Sequence, residues 1–207
     1  EKTNRVWEEN GVIYRRGEKV LESADILIPG THNIENYMAA IAAVEGLVSN
    51  ETIRTVAKNF GGVEHRIELV RIKDGVRFYN DSIASSPSRT IAGLRSFQKK
   101  VILIAGGYDK HIPYDVLGPE ICAHVKKLFL GGATGSLIRE ATANCPEYAE
   151  NPLEIVDCGN FEAAVRAAAA AAEAGDIVLM SPASAAFDQF KNFMVRGEFY
   201  KKLVKEL

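Results

Sequence analysis

No phosphate-cradling loop of the form Gly-x-x-x-x-Gly-Lys-Ser/Thr occurs in this sequence. Nothing in it therefore offers the curl of backbone N–H groups and the lysine with which such loops hold a nucleotide's phosphates. There is no apolar stretch near the roughly 20 residues that a bilayer-spanning helix needs. The opening Glu-Lys-Thr-Asn-Arg also lacks the apolar core of a secretory signal. Both absences point to the cytoplasm and away from a membrane. Cysteine is scarce: Cys122, Cys145 and Cys158 are odd in number and show neither Cys-x-x-Cys nor Cys-x-x-His spacing. That argues against a disulfide framework or a zinc site, and the three read as ordinary reduced thiols. Charge of one sign is missing too. The 25 basic and 27 acidic residues nearly cancel and form no long run, which removes the field that a nucleic acid would require.

What is present is 47% hydrophobic sequence over 207 residues, enough for one good core and part of a second. The chain opens with alternating Val6 to Glu9, then Asn10-Gly11, then Val12-Ile13-Tyr14. This is the strongest short signal for a β-hairpin. Ala24 to Pro29 reads as another short strand. Ile34, Tyr37, Met38, Ile41, Val44 and Val48 then recur at helical spacing. A second helix is expected from about Glu51 to Asn59, capped by Asn50 and ended by Gly61-Gly62, and that glycine pair marks the expected boundary between residues 1–62 and 63–207.

Beyond the boundary, strands alternate with helices, the signature of a mostly parallel sheet covered on both faces. Strands are expected near residues 68–72, 76–80, 101–105, 127–130, 154–156 and 177–180, with helices near 88–96, 135–143, 161–174 and 197–206. The fold class is thus α/β: a Rossmann-like, doubly wound, mostly parallel sheet, preceded by a partial second α/β domain with a β-hairpin. Ligands of such sheets bind outside the carboxyl ends of the strands, where Asn80-Asp81-Ser82, Gly106 to Lys110, Gly131 to Thr134 and Ser181 to Ser184 fall.

Each of these segments has two readings. Asn33 and Asn36 lie one helical turn apart and can offer paired donors and acceptors to a purine edge, or Asn33 only caps its helix and His32 is a surface residue. In Glu64-His65-Arg66, the arginine can meet a phosphate or ribose, or the segment is a solvated linker. Asp81 at a strand end suits a ribose or a cation, or it caps a turn. Ser85, Ser86 and Ser88 precede a helix whose free N–H groups favour an anion, or they cap it. Gly106-Gly107 allows a ligand to approach the backbone and Lys110 supplies a fixed charge, or the glycines simply make a turn.

The order of these segments along the chain is more informative than any one of them. Gly-x-His-Asn-x-x-Asn, His-Arg-x-Glu, Asn-Asp-Ser, Gly-Gly-x-Asp-Lys and Ser-Pro-Ala-x-Ala-x-x-Asp-Gln-Phe-x-x-Phe, followed by Arg196-Gly197, resemble the C-terminal portion of the Mur ligases from about Ile28 onward. Asn80-Asp81-Ser82 and the segment from Ser181 to Gly197 look most like the branch that adds D-glutamate. The resemblance implies an ATP- and Mg2+-dependent ligase acting on UDP-N-acetylmuramoyl-L-alanine and D-glutamate through an acyl phosphate, and a monomer. It assigns His32, Asn33, Asn36, His65, Arg66 and Asp81 to ATP, and Ser85, Lys110, Phe187 and Phe193 to the amino acid, with Lys110 and Arg66 catalytic and no metal ligand in this part. Ile83 replaces a common lysine and Ala186 a common serine, so Arg89 is the candidate to restore the lost positive charge. Met194 replaces an acidic residue. The family carries its phosphate loop and metal-binding lysine upstream, so the chain is expected to be a piece of a longer protein and inactive alone. The alternatives are a folylpolyglutamate-type or other Mur-type ligase, and a non-catalytic Rossmann-like nucleotide-binding module.

Overall fold

The computed structural model describes residues 5–28 and 30–207. The expectations placed on Pro29 and on the His32 side chain lie outside the described residues. The chain divides into two compact units, Glu1–Gly62 and Val63–Leu207.

In the first unit, β1 (Val6–Glu9), β2 (Val12–Arg15) and β3 (Glu18–Glu22) form an antiparallel sheet in that order. Asn10 and Gly11 both have positive φ, 52° and 79°, as the tight turn matching the strands' twist requires. Arg16 and Gly17 repeat that geometry at 51° and 85°, which adds β3 to the expected hairpin. The strand expected over residues 24–29 is not formed over the described residues 24–28. Ser23–Asp25 is a short 3-10 helix instead, closed by the Ile26 N–H donating to the Ser23 carbonyl, while the Leu27 N–H donates to Ala57. These donors go to a turn and a helix end, leaving none for a sheet ladder. Helices α1 (Thr31–Ala43) and α2 (Asn50–Asn59) follow. Ser49, not Asn50, caps α2, its hydroxyl accepting the Thr52 N–H at 3.2 Å. Asn50 is already helical, and its side chain accepts from Arg15. Ile13, Val20, Leu21, Ile41, Ile53 and Ala57 make this unit's core.

In the second unit, six strands lie in the order β4 (Glu68–Lys73), β5 (Val76–Asn80), β9 (Ile177–Met180), β6 (Val101–Ala105), β7 (Val125–Gly131) and β8 (Glu154–Gly159). Only β4 is antiparallel to its neighbour. Because side chains alternate across a strand, Leu103 and Leu179 face one layer, made of α3 (Pro87–Leu94), α4 (Leu117–His124) and α5 (Gly135–Ala143). Ile102, Ile104, Val178 and Met180 face the other, made of α7 (Phe161–Ala170) and α8 (Phe193–Glu206). Every residue of β6 is buried, and each large aliphatic side chain there contributes about 1.5–3 kcal/mol through burial.

Some boundaries differ from the sequence expectation for local reasons. Helix α4 and the short α6 (Pro146–Glu150) were not expected, because Gly118-Pro119 and Pro146 look like helix breakers. In a first turn, however, proline's missing N–H has no partner to lose. Helix α7 ends at Ala170 rather than 174. Helix α8 begins at Phe193 rather than Gly197, capped by Asn192, whose side chain accepts the Val195 N–H at 2.9 Å.

Gly118 lies inside α4 against α5, where an added Cβ would land on the Ala141 carbonyl oxygen and 3.5 Å from the Cys145 Cβ. Alanine in place of glycine normally helps a helix by about 1 kcal/mol. Here overpacking reverses the sign, and Gly118→Ala is expected to destabilise the protein by about 1–3 kcal/mol. Urea unfolding reads this directly, and an unchanged or higher midpoint would mean that the two helices are less tightly packed.

Candidate functional site

Four loops leave the carboxyl ends of β5, β9, β6 and β7 and are stitched to one another. After β5, the Asn80 side-chain oxygen accepts the Ser82 N–H at 3.1 Å, which turns the chain, while its amide reaches His65 Nδ1 at 3.0 Å and Glu68 at 3.1 Å. The Gly106 N–H donates to Pro182 and the Tyr108 N–H to Ala185, joining the β6 and β9 loops. The Thr134 N–H donates to the Gly107 carbonyl, joining β7 to them.

Two buried hubs complete the assembly. The Arg196 guanidinium, from α8, donates to the Ser82 hydroxyl (3.1 Å) and carbonyl (3.0 Å) and to the carbonyls of Ser184 and Ala185 (both 3.0 Å). It is 1% exposed, and burial lowers its pKa to about 10. The Ser184 hydroxyl contacts the Tyr114 hydroxyl at 2.8 Å and the Thr134 hydroxyl at 2.7 Å. The Thr134 oxygen also accepts the Gly107 N–H at 3.0 Å. Sequence reading gave no role to Arg196, Ser184, Thr134 or Tyr114. The one available signal was an arginine inside an otherwise apolar and aromatic motif.

Gly106 and Gly107 serve these same seams. Their φ values are 109° and 154°, and a Cβ on either would strike backbone oxygen, that of Gly131 or Ala185 respectively. The close approach they permit is loop to loop.

Asp81 is 3% exposed. One carboxyl oxygen accepts the Ser181 hydroxyl at 2.7 Å and the other the Ile67 N–H at 3.3 Å. Helix α3 lies so close that a Cβ on Gly93 would sit 2.9 Å from the carboxyl. Burial raises its pKa to about 7, against the opposing pull of Ser181, the Ile67 N–H, Arg66 and Arg89. The two arginines therefore lie within electrostatic reach of one carboxyl. Both are exposed, and among the described residues neither guanidinium has a hydrogen-bond or ion-pair partner. Lys110 is exposed and equally unpartnered.

The remaining expected residues are placed as follows. His65 is 5% exposed, with φ +64°, and its ring presses on the α8 backbone where only glycine fits, at Gly197. It meets the Phe193 ring edge-on, with centroids 6.1 Å apart. Ser85 is half-buried just before α3, whose N-cap Ser86 makes no side-chain cap. Phe187 is 63% exposed and stands edge-to-face with Tyr108 at 5.9 Å. In the other unit, the Asn36 amide donates to the buried Asn33 side chain at 3.3 Å in the first turns of α1. One grouping among the described residues has metal-ligand chemistry: Glu64, His65 and Glu198. Lys201 already occupies it, 2.7 Å from Glu198 and also bound to Glu64 and Glu68. An ammonium in that place does not fit a metal site.

A family model described as "Mur ligase, glutamate ligase domain" matches residues 65–184. The UDP-N-acetylmuramoylalanine–D-glutamate ligase of Acetivibrio thermocellus is 52% identical over 203 residues, which are 95% of this chain and 43% of the relative. That of Ruminiclostridium cellulolyticum is 52% identical over 209 residues, 95% of this chain and 45% of the relative. The chain thus spans less than half the length of these relatives. Among solved structures, a folylpolyglutamate synthase from Thermotoga maritima superposes with a TM-score of 0.64 at 18% identity, over 95% of this chain and 44% of that one. A UDP-N-acetylmuramoyl-L-alanyl-D-glutamate–2,6-diaminopimelate ligase gives 0.58 at 14%, over 94% and 42%. At these identities the structures show a shared fold. No helix among the described residues is long and apolar enough to cross a membrane.

The raised pKa of Asp81 has a signed consequence for stability. Between about pH 4 and 7 the folded protein holds a proton that the unfolded chain releases, so stability falls as pH rises through this window and levels off above it. Asp81→Asn removes the titration. Chemical denaturation from pH 7.5 to 5 should show the wild type gaining on Asp81→Asn by on the order of 1–3 kcal/mol. A difference independent of pH would mean that the arginines and hydrogen bonds keep the carboxyl ionised throughout.

Proposed function

Because this chain belongs to the Mur ligase family, we propose that it forms the acceptor-binding part of a cytoplasmic ligase that adds D-glutamate to UDP-N-acetylmuramoyl-L-alanine. The activity is proposed for a protein of the relatives' full length. The observation that carries the reading is the trio of unpartnered cations, Arg66, Arg89 and Lys110, around the carboxyl ends of the sheet. Glutamate presents two carboxylates, and a site for it needs fixed positive charge that the protein itself has not neutralised.

In this reading Lys110 and Arg89 hold the acceptor's two carboxylates. Arg89 supplies the charge missing where Ile83 stands in place of the common lysine. The first turn of α3, where Pro87 has no N–H and the Arg89 and Thr90 N–H groups donate to the Ser86 carbonyl, adds the Ser88 N–H and the helix dipole, with Ser85 beside it. Phe187 and Phe193 form the apolar side, and the absence of a hydroxyl at Ala186 leaves the backbone there as the polar contact. Arg66 faces the phosphates or ribose of ATP, and Asn33 and Asn36 take the adenine. An unpaired guanidinium suits phosphate, so Arg66 fits that group; Asp81, whose two oxygens already accept from the protein, offers a ribose only its remaining lone pairs.

When bound, ATP with Mg2+ would supply the phosphoryl group that activates the muramoyl carboxylate. This chain's own part is to seat the amine donor. Two cations drawn onto the acceptor's carboxylates leave its amino group free to point away from them, and they fix its approach so that attack becomes effectively unimolecular.

In the full-length enzyme, Lys110→Ala and Arg89→Ala should each raise KM for D-glutamate about 10- to 100-fold, since a hydrogen bond to a charged group contributes about 1.5–3 kcal/mol. KM for ATP should stay nearly constant, and Arg89→Lys should recover part of the loss. Steady-state kinetics with D- and L-glutamate reads all of these and the stereochemical preference. Wild-type D-glutamate kinetics in both alanine variants would refute the pocket assignment.

A further inference from the structure

Cys122, near the end of α4, and Cys145, immediately before α6, bring their sulfurs to 3.0 Å. Both are almost fully buried, 6% and 8% exposed. The Cys145 thiol also lies 3.1 Å from the Thr142 carbonyl at the end of α5. Each sulfur is thus held by a different packed element, and the two touch without any backbone rearrangement. A disulfide bond is about 2.05 Å long, so the sulfurs need approach by only about 1 Å to bond. Nothing in the sequence pairs Cys122 with Cys145, which are neither closely spaced nor part of a motif.

We infer that Cys122 and Cys145 are a reversible dithiol–disulfide pair that reacts with low-molecular-weight disulfides. One protein thiolate attacks the oxidant's disulfide and expels one of its halves as a thiolate. The second protein thiol gives its proton to solvent and attacks the resulting mixed disulfide, expelling the other half. Two protein thiols are oxidised to one disulfide, and the oxidant is reduced to two thiols. Burial, and then the contact with Cys145, push the Cys122 thiol up to about 12. Thiolate is therefore rare at neutral pH, and exchange is slow and accelerates with pH. Cys158, half-buried on β8 in the opposite layer, has no thiol neighbour among the described residues and serves as an internal control. The pair sits where α4 leads into the start of β7, at the end of the sheet away from the four loops. Oxidation therefore staples α4 to the segment joining α5 and α6 and leaves the candidate site untouched.

The test is to incubate the 207-residue chain with excess glutathione disulfide, denature it, block free thiols with N-ethylmaleimide and measure the mass. The expected product carries one maleimide instead of three and no glutathione. It yields a linked peptide containing Cys122 and Cys145, reverts in dithiothreitol, and melts roughly 5–10 °C higher than the reduced form. Its rate of formation rises roughly tenfold per pH unit between pH 7 and 9. Cys122→Ala and Cys145→Ser should each abolish both the link and the melting shift, while Cys158→Ser should keep them. Three blocked thiols after prolonged oxidation, a glutathione adduct that never resolves, or a link through Cys158 would overturn the inference.

Discussion

The arrangement of the loops depends on one buried charge, that of Arg196. Taking a guanidinium out of water costs several kcal/mol unless its donors are satisfied. Among the described residues no carboxylate hydrogen-bonds to it, Asp188 acting only through space; a hydroxyl and three main-chain carbonyls do, from the β5 loop and the β9 loop. Because the acceptors are main-chain atoms, the planar fork of donors fixes backbone position rather than side-chain position. A lysine, with its compact ammonium, could not bridge the same two loops. The clamp also ties both loops to α8, so the end of the sheet where ligands bind in this class of fold is set by a helix lying in the layer behind it.

That internal satisfaction explains the character of the rim. Ser82, Ser184, Thr134, Asn80 and Asp81 all spend polar groups inside the protein, on backbone, on one another or on the side chains of His65, Glu68, Tyr114, Ser181 and Arg196, and Gly106 and Gly107 let the loops close to contact distance. The polar interior gives the exposed cations no hydrogen bond among the described residues. Arg66, Arg89 and Lys110 consequently remain exposed without a hydrogen-bond or ion-pair partner among the described residues, and the buried Asp81 carboxyl lies within electrostatic reach of the two arginines.

The uneven legibility of the sequence follows from the same division. Strands β5, β6 and β9 and helix α5 could be read to the residue, since continuous apolar runs and glycine stops are local signals. The failures were also local: Gly118-Pro119 hid α4, Arg16-Gly17 hid β3, and Ile26 and Leu27 looked like a strand although their N–H groups go elsewhere. At the site, motif order pointed to the outward residues, which are chemically conspicuous. It gave no role to Arg196, Ser184 and Thr134, although Arg196 and Ser184 lie within the motifs, because joining residues as distant as Arg196 and Ser82 or Ser184 and Thr134 leaves no periodicity or spacing to read. The Gly106-Gly107 pair is conspicuous in the sequence, which leaves open a ligand's approach or a plain turn; the backbone it lets approach is that of Gly131 and Ala185.

Asp81 connects the buried network to the charged rim. Its ionised form is disfavoured by burial and favoured by the Ser181 hydroxyl, the Ile67 N–H and then by Arg66 and Arg89, and these opposing effects leave the carboxyl at about 7. Any anion that engages Arg66 or Arg89 draws off part of the potential that keeps Asp81 ionised, so anion binding and proton uptake at Asp81 favour each other. Linkage makes the relation reciprocal: protonating Asp81 frees both arginines from an internal attraction and strengthens their hold on the anion. The Ser181 hydroxyl, which can turn between Asp81 at 2.7 Å and Thr90 at 3.0 Å, allows the carboxyl to change charge without leaving a donor unsatisfied. A residue read from sequence as a ligand contact thus also couples the charge of the site to the loops beneath it.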